Sequence, residues 1–251
     1  MWVVLFASLL VQTTASFGNQ AIAPLAPFLL VDLGLSKSHL GLVVTAFFSG
    51  AVVVMAAAGW ASDRFGVRSM FLVGLLWCGA PLLLAAQAPG LAVLMGAMLL
   101  SGIGNGISLP PTTRAIIYWF PARRRGLAMG IKQTGVALAG AIMALAVPPM
   151  SEPLGWRGAM GLIGWLTLTA GVLAWFLYRE HPDAQSGQAR NRVEGAGFRT
   201  LLRNRNLILL CATTLLLAAI QLSLIGFMVL FLTERLAYDV ALAGGLLAVA
   251  Q

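Results

Sequence analysis

Charge is what this chain has least of. Only 10% of its 251 residues are charged and 59% are hydrophobic, whereas a soluble domain carries about a quarter charged residues. Acid is scarcest: eight Asp and Glu stand against sixteen Lys and Arg, for a net charge of +8. The two cysteines, Cys78 and Cys211, both lie inside apolar runs, so no disulfide or metal framework is implied. The two histidines, His39 and His181, are isolated, and neither belongs to a metal-ligand cluster. A membrane-embedded enzyme would need convergent carboxylates, His or Cys at the membrane surface. The sequence has no such cluster, so neither an enzyme nor a cofactor is expected. A pI of 10.8 invites nucleic acid as a partner. That is excluded because the basic residues cluster between apolar runs rather than on one soluble face.

Long uncharged stretches take the place of charge. The run from His39 to Ala61 has no charge after His39, and the run from Met70 to Ala86 has none. Each is near the ~20 residues that a helix needs to cross a bilayer. The expected fold class is therefore an all-α, multi-spanning membrane protein, and the lipid bilayer is its first partner. The first span runs from about Val3 to Leu30, with Pro24 and Pro27 bending its outer third. No Lys or Arg precedes Lys37, which argues for a retained span over a secretory signal. Further spans are expected over Ser69–Ala86, Leu91–Tyr118 and Gly126–Val147. Pro148 and Pro149 should close the fifth, and Ser151–Gly158 should be an outer loop. A sixth span ends near Tyr178, a seventh covers Asn206–Leu232, and an eighth run begins near Val240. Residues 179–205 form the one long hydrophilic segment, rich in arginine.

Between the second and third spans lies a charged island, Gly-Trp-Ala-Ser-Asp-Arg-Phe-Gly-Val-Arg-Ser, from Gly59 to Ser69. Each residue type has a physical use there. Gly59 lets another helix approach closely. Asp63 ends the second helix and can dock on the positive N-terminus of a neighbour. Gly66 permits the sharp turn. Arg64 and Arg68 can hold the turn among lipid phosphates or pair with carboxylates. The plain alternative is a polar turn that only stays out of the membrane.

The island resembles the signature loop of the major facilitator superfamily, Gly-x-x-x-Asp-Arg-x-Gly-x-Arg/Lys-Arg/Lys. Gly59, Asp63, Arg64, Gly66 and Arg68 fit it, and Ser69 departs where a second basic residue is usual. Tyr118–Gly130 looks like the loop between the fourth and fifth helices of that superfamily, more so in its organic-anion branches than in its drug exporters. Leu154-Gly155-Trp156-Arg157 resembles the stretch before its sixth helix. The resemblance implies a secondary transporter of a small molecule, built from two six-helix bundles that rock about a central site. On that template residues 1–178 are the first bundle, 179–205 the central cytoplasmic loop, and 206–251 the start of a second bundle that is incomplete here. Asp63 and its arginines would latch the halves in one state, and a coupling ion is a further partner the template allows.

Polar residues inside spans mark either a cavity or hydrogen-bonding glue between helices. Gln12, Ser16, Asn19 and Gln20 share one face of the first helix. The fourth carries a stripe of Ser101, Asn105, Ser108 and Thr112, followed into distorted helix by Pro110 and Pro111, and irregular backbone belongs beside a cavity. On the seventh, Thr214 and Gln221 lie two turns apart. No Asp or Glu is set deep in the first seven spans, while Lys132 lies seven residues past Arg125, about 10 Å along the axis. Lys132 either snorkels to the surface or meets an anion. In the second case Asn19, Gln20, Asn105 and Gln133 can orient the anion's oxygens. The expected substrate is a small organic anion such as a carboxylate. The alternatives are a neutral or drug-like solute, or a fragment that does not transport.

Thirteen basic residues fall on the side of the signature loop and three, Lys37, Arg157 and Arg235, on the other. By the positive-inside rule the signature loop and the N-terminus are then cytoplasmic, and the expected location is the inner membrane.

Overall fold

A computed structural model describes residues 1–181 and 204–235. Among them there are only helices and their short connections: α1 (Trp2–Gln20), α2 (Ile22–Asp32), α3 (Lys37–Phe65), α4 (Val67–Ala85), α5 (Leu91–Trp119), α6 (Ala122–Leu177) and α7 (Arg205–Arg235). The chain is an all-α membrane protein, and among the described residues five stretches are long and apolar enough to cross a bilayer. Most of the expected hydrophilic segment, and everything after Arg235, lies outside the described residues.

The first span is α1 and α2 in succession, Trp2–Asp32. The interruption falls at Ala21, deeper than the bend read from the prolines. Pro24 has no N–H for the carbonyl of Gln20, so the helix opens one turn before the ring. The turn from α3 to α4 is a single residue, Gly66, at φ 80°, a conformation that side chains rarely tolerate.

Helix α6 corrects the expected ends of the fifth and sixth spans. The helical stretch Ala122–Leu177, 56 residues, is two helices joined at a kink; a single straight helix of that length would run about 84 Å at 1.5 Å per residue. No ~30 Å hydrocarbon core needs that length in one crossing. The path turns at Gly155, whose φ of 66° and ψ of 171° are non-helical. Pro148 and Pro149 therefore do not close a helix, and 151–154 is helix where a loop was expected. The Ser151 hydroxyl donates to the Val147 carbonyl at 2.8 Å, which ties the backbone together past the prolines. The end of the bundle at Gly155 is clasped by Asp32, which accepts from the Trp156 indole at 2.6 Å and pairs with Arg157. Arg157 also donates to the Ala88 carbonyl in the α4–α5 connector at 3.3 Å.

The helices meet through small residues rather than through a soluble-type core. A Cβ at Gly102 would lie 3.0 Å from the Phe47 Cα, and one at Gly106 would lie 3.0 Å from the Ala51 Cα. This brings α5 against α3 backbone to backbone, as spans associate when apolar burial alone gives no preference for a partner. The interior is filled by Phe17, Leu25, Phe47, Leu82, Met98 and Met160. Large apolar side chains such as Val53, Trp77, Trp165 and Phe176 point outward, which suits a surface in contact with lipid.

Candidate functional site

Helices α1, α3, α5 and α6 line a half-open cavity of about 440 Å³. Helix α1 contributes Gln12, Ser16, Asn19 and Gln20. Helix α6 contributes Lys132, Gln133 and Val136. From α5 come Asn105, Leu109, Pro110 and Thr113, and from α3 Phe47, Phe48 and Met55. The one charged group among these is Lys132. Its side chain is only 6% exposed, and its ammonium donates to the Thr113 hydroxyl at 3.3 Å. The long stem thus runs toward α5 rather than to the surface. Among the described residues no carboxylate pairs with it.

Two lining amides are engaged in holding helices together. Asn105 Nδ2 donates to the Ala15 carbonyl of α1 at 3.0 Å. Gln20 Nε2 donates to the Val136 carbonyl of α6 at 3.2 Å. Cavity lining and glue are therefore the same residues here. The Gln12 Oε1 and Asn19 Oδ1 atoms are buried with no hydrogen-bond partner. A half-turn of either amide would present a donor in place of the acceptor.

The sequence-expected residues divide accordingly. Gln12, Asn19, Gln20, Asn105, Lys132 and Gln133 are brought together on the cavity. Ser108 is not. It is fully buried, donates to the Gly104 carbonyl at 2.9 Å, and sits against Gly74 of α4. Ser101 also faces α4 and donates to the Cys78 carbonyl at 3.0 Å. The polar stripe of α5 points mainly at α4, while the cavity face is Asn105, Leu109 and Thr113 at i, i+4 and i+8. The two faces overlap only at Asn105. Gln221 lies exposed on α7, away from the cavity. Thr113 was passed over because it adjoins the stripe without belonging to it, yet it is the partner of Lys132.

The signature loop is built differently from its sequence reading. Helix α3 continues to Phe65, and Asp63 forms an ion pair with Arg114 of α5. The carboxylate on the N-terminus of α4 belongs instead to Glu180, just past α6. It accepts from the Arg68 backbone N–H at 2.7 Å. A Cβ on Gly66 would come within 2.6 Å of that carboxylate, so a side chain there would push Glu180 aside as well as strain the turn. Helix N-termini attract anions through their free N–H groups and dipole. The Arg68 side chain lies over the Trp175 ring at 4.0 Å and donates to the Trp175 carbonyl at 2.7 Å; among the described residues it pairs with no carboxylate. Arg64 lies 5.6 Å from the Trp60 ring on its own helix. Nothing among the described residues lies within 4 Å of a Cβ at Gly59, so no described helix makes the expected close approach there. Tyr178, against Phe71 and fully buried, has its phenol pushed up by burial.

Comparison with known proteins places these features in a family. The chain is 32% identical over 179 residues to a probable sulfoacetate transporter of Cupriavidus necator, covering 71% of this chain and 41% of that protein. It is 30% identical over 170 residues to a hexuronate transporter of Bacillus subtilis, covering 66% of this chain and 39% of the relative. The chain thus spans about two fifths of the length of these relatives. Its fold matches the crystal structure of a bacterial homologue of the human lysosomal transporter Spinster, inward-facing and occupied. The TM-score is 0.81 at 18% identity, over 98% of this chain and 58% of that one. With the Major Facilitator Superfamily model matching residues 8–251, the chain belongs to that superfamily.

Proposed function

We propose that this chain is the first half of a secondary active transporter that moves a small organic anion, such as a carboxylate, by alternating access. The observation that carries the reading is the Lys132 ammonium, buried in the cavity with one hydroxyl as its hydrogen-bond partner. A cation removed from water needs a counter-charge, and among the described residues no acid supplies it. A substrate carboxylate would. The sulfoacetate and hexuronate named for the two relatives both carry an anionic group, which supports the same class. The test is uptake by the protein carrying this chain with Lys132→Gln and Lys132→Arg. Loss of apparent affinity in the first and its retention in the second is the expected result. Unchanged affinity in the first removes the anion reading.

In this reading residues 1–178 are one bundle, 179–205 the central loop and 206–251 the start of the second, with the N-terminus on the cytoplasmic side of the inner membrane. The thirteen-to-three asymmetry of basic residues supports that orientation. A cysteine in place of Arg124 should resist a membrane-impermeant maleimide in sealed cells and react once they are opened. One in place of Glu152 should react from outside. The reverse pattern would invert the topology.

Asp63 is assigned to gating, with Gly59, Arg64, Gly66 and Arg68 shaping its turn. Its pair with Arg114 is exposed on the Asp63 side, at 66%, and largely buried on the Arg114 side, at 16%, and an Asn there still offers the guanidinium an amide oxygen as acceptor. Asp63→Asn should therefore leave membrane insertion intact while slowing transport. An unaltered transport rate would remove the assignment.

A further inference from the structure

The cavity has two chemically different walls, and their contrast bears on the body of the substrate. On the α3 side every lining residue, Phe47, Phe48 and Met55, is apolar. The Phe47 and Phe48 rings stand at 90° with centroids 5.6 Å apart, so a flat apolar body can lie against an aromatic surface there. Leu109 and Pro110 extend this wall onto α5. The wall on α1 and α6 is polar apart from Val136 and holds Lys132, the only cation among the described lining residues, with Thr113 beside it from α5. Part of its hydrogen-bonding capacity is taken, since the Gln20 amide already donates to the Val136 carbonyl, as the Asn105 amide of α5 does to the Ala15 carbonyl; the Gln12 and Asn19 side-chain oxygens stay unpartnered on this wall, away from the α3 side.

We infer that the site selects carboxylates with an apolar or aromatic body over polyhydroxylated carboxylates. The inference rests on the anion reading above. One carboxylate meets Lys132 and Thr113, and the remainder of the molecule lies on Phe48 and Met55. A sugar acid in the same pose strips water from several hydroxyls against the α3 wall, which among the described residues has no hydroxyl, amide or charged side chain, and a buried hydroxyl without a partner is a net loss. An apolar ring in that place gains contact area and strands nothing. The inference departs from the polyhydroxylated substrate named for the Bacillus relative.

The experiment is direct binding of radiolabelled benzoate to the purified protein carrying this chain, with glucuronate and benzyl alcohol as competitors. Benzoate should bind saturably. One stranded hydroxyl costs about tenfold in affinity, so glucuronate should compete at least ~10-fold more weakly. Benzyl alcohol, which has the ring and no charge, should also be weak. Met55→Gln, a change of similar size, should weaken benzoate several-fold and spare glucuronate. Lys132→Gln should weaken both acids. Glucuronate competing as well as benzoate, with Lys132→Gln still weakening both, overturns the selectivity and leaves the anion reading standing. Benzoate binding that Lys132→Gln does not change overturns the anion reading itself. No saturable benzoate binding overturns the inference as well.

Discussion

Lys132→Gln should raise the apparent KM for a carboxylate substrate by about 10- to 150-fold, the equivalent of a charge-assisted hydrogen bond of roughly 1.5–3 kcal/mol. The same change should not destabilise the fold. Lys132 is 6% exposed, with a hydroxyl as its hydrogen-bond partner and no carboxylate beside it among the described residues. Removing a buried charge that has no counter-ion relieves a desolvation penalty. The melting temperature of the Gln variant in detergent should therefore equal or exceed that of the parent. Opposite movements of transport and stability are the mark of a ligand group, because a residue that merely holds helices together would lose both. Lys132→Arg keeps the charge and should keep most of the affinity. A Gln variant that melts lower and loses transport along with it would make Lys132 a structural residue.

Gly102→Leu should be the most damaging single change to the fold. A Cβ at Gly102 already lies 2.7 Å from the Phe47 carbonyl carbon and 3.0 Å from its Cα. The obstacle is backbone, which cannot swing aside as a flexible side chain can. Helix α3 must move away from α5, and Phe47 and Phe48, which line the cavity, must move with it. Overpacking a close contact costs about 1–3 kcal/mol when side chains can adjust, and more when they cannot. Folded yield and melting temperature in detergent should both fall sharply. Gly96→Leu supplies the comparison on the same helix, since a Cβ there meets nothing within 4 Å, and it should be close to neutral. Equal damage at the two positions would mean that α3 and α5 do not touch at Gly102.

Several features of the cavity were legible in the chain because they depend on local spacing. Gln12, Ser16 and Asn19 fall at i, i+4 and i+7, so one helix face had to carry them, and all three line the cavity. Lys132 stood out because a charge in an uncharged span is costly wherever it points. Ser108 and Asn105 show where such reasoning ends. They lie three residues apart on one polar stripe, yet one faces α4 and the other the cavity. Periodicity gives the face of a helix but not the neighbour that covers it.

By itself the sequence determined that the chain crosses a bilayer repeatedly as helices, and where the turn at Gly66 falls. A run of about 20 residues without charge has few other stable states, and a glycine between charges permits a conformation that other residues resist. Only the tertiary structure decided that Glu180, rather than Asp63, sits on the N-terminus of α4, that Asp63 pairs with Arg114, and that Thr113 receives the Lys132 ammonium. The reason is distance along the chain. Glu180 lies 112 residues from Arg68, and Thr113 lies 19 from Lys132. Contacts of that range depend on how the helices cross, and the crossings are set by which small residues let two backbones meet.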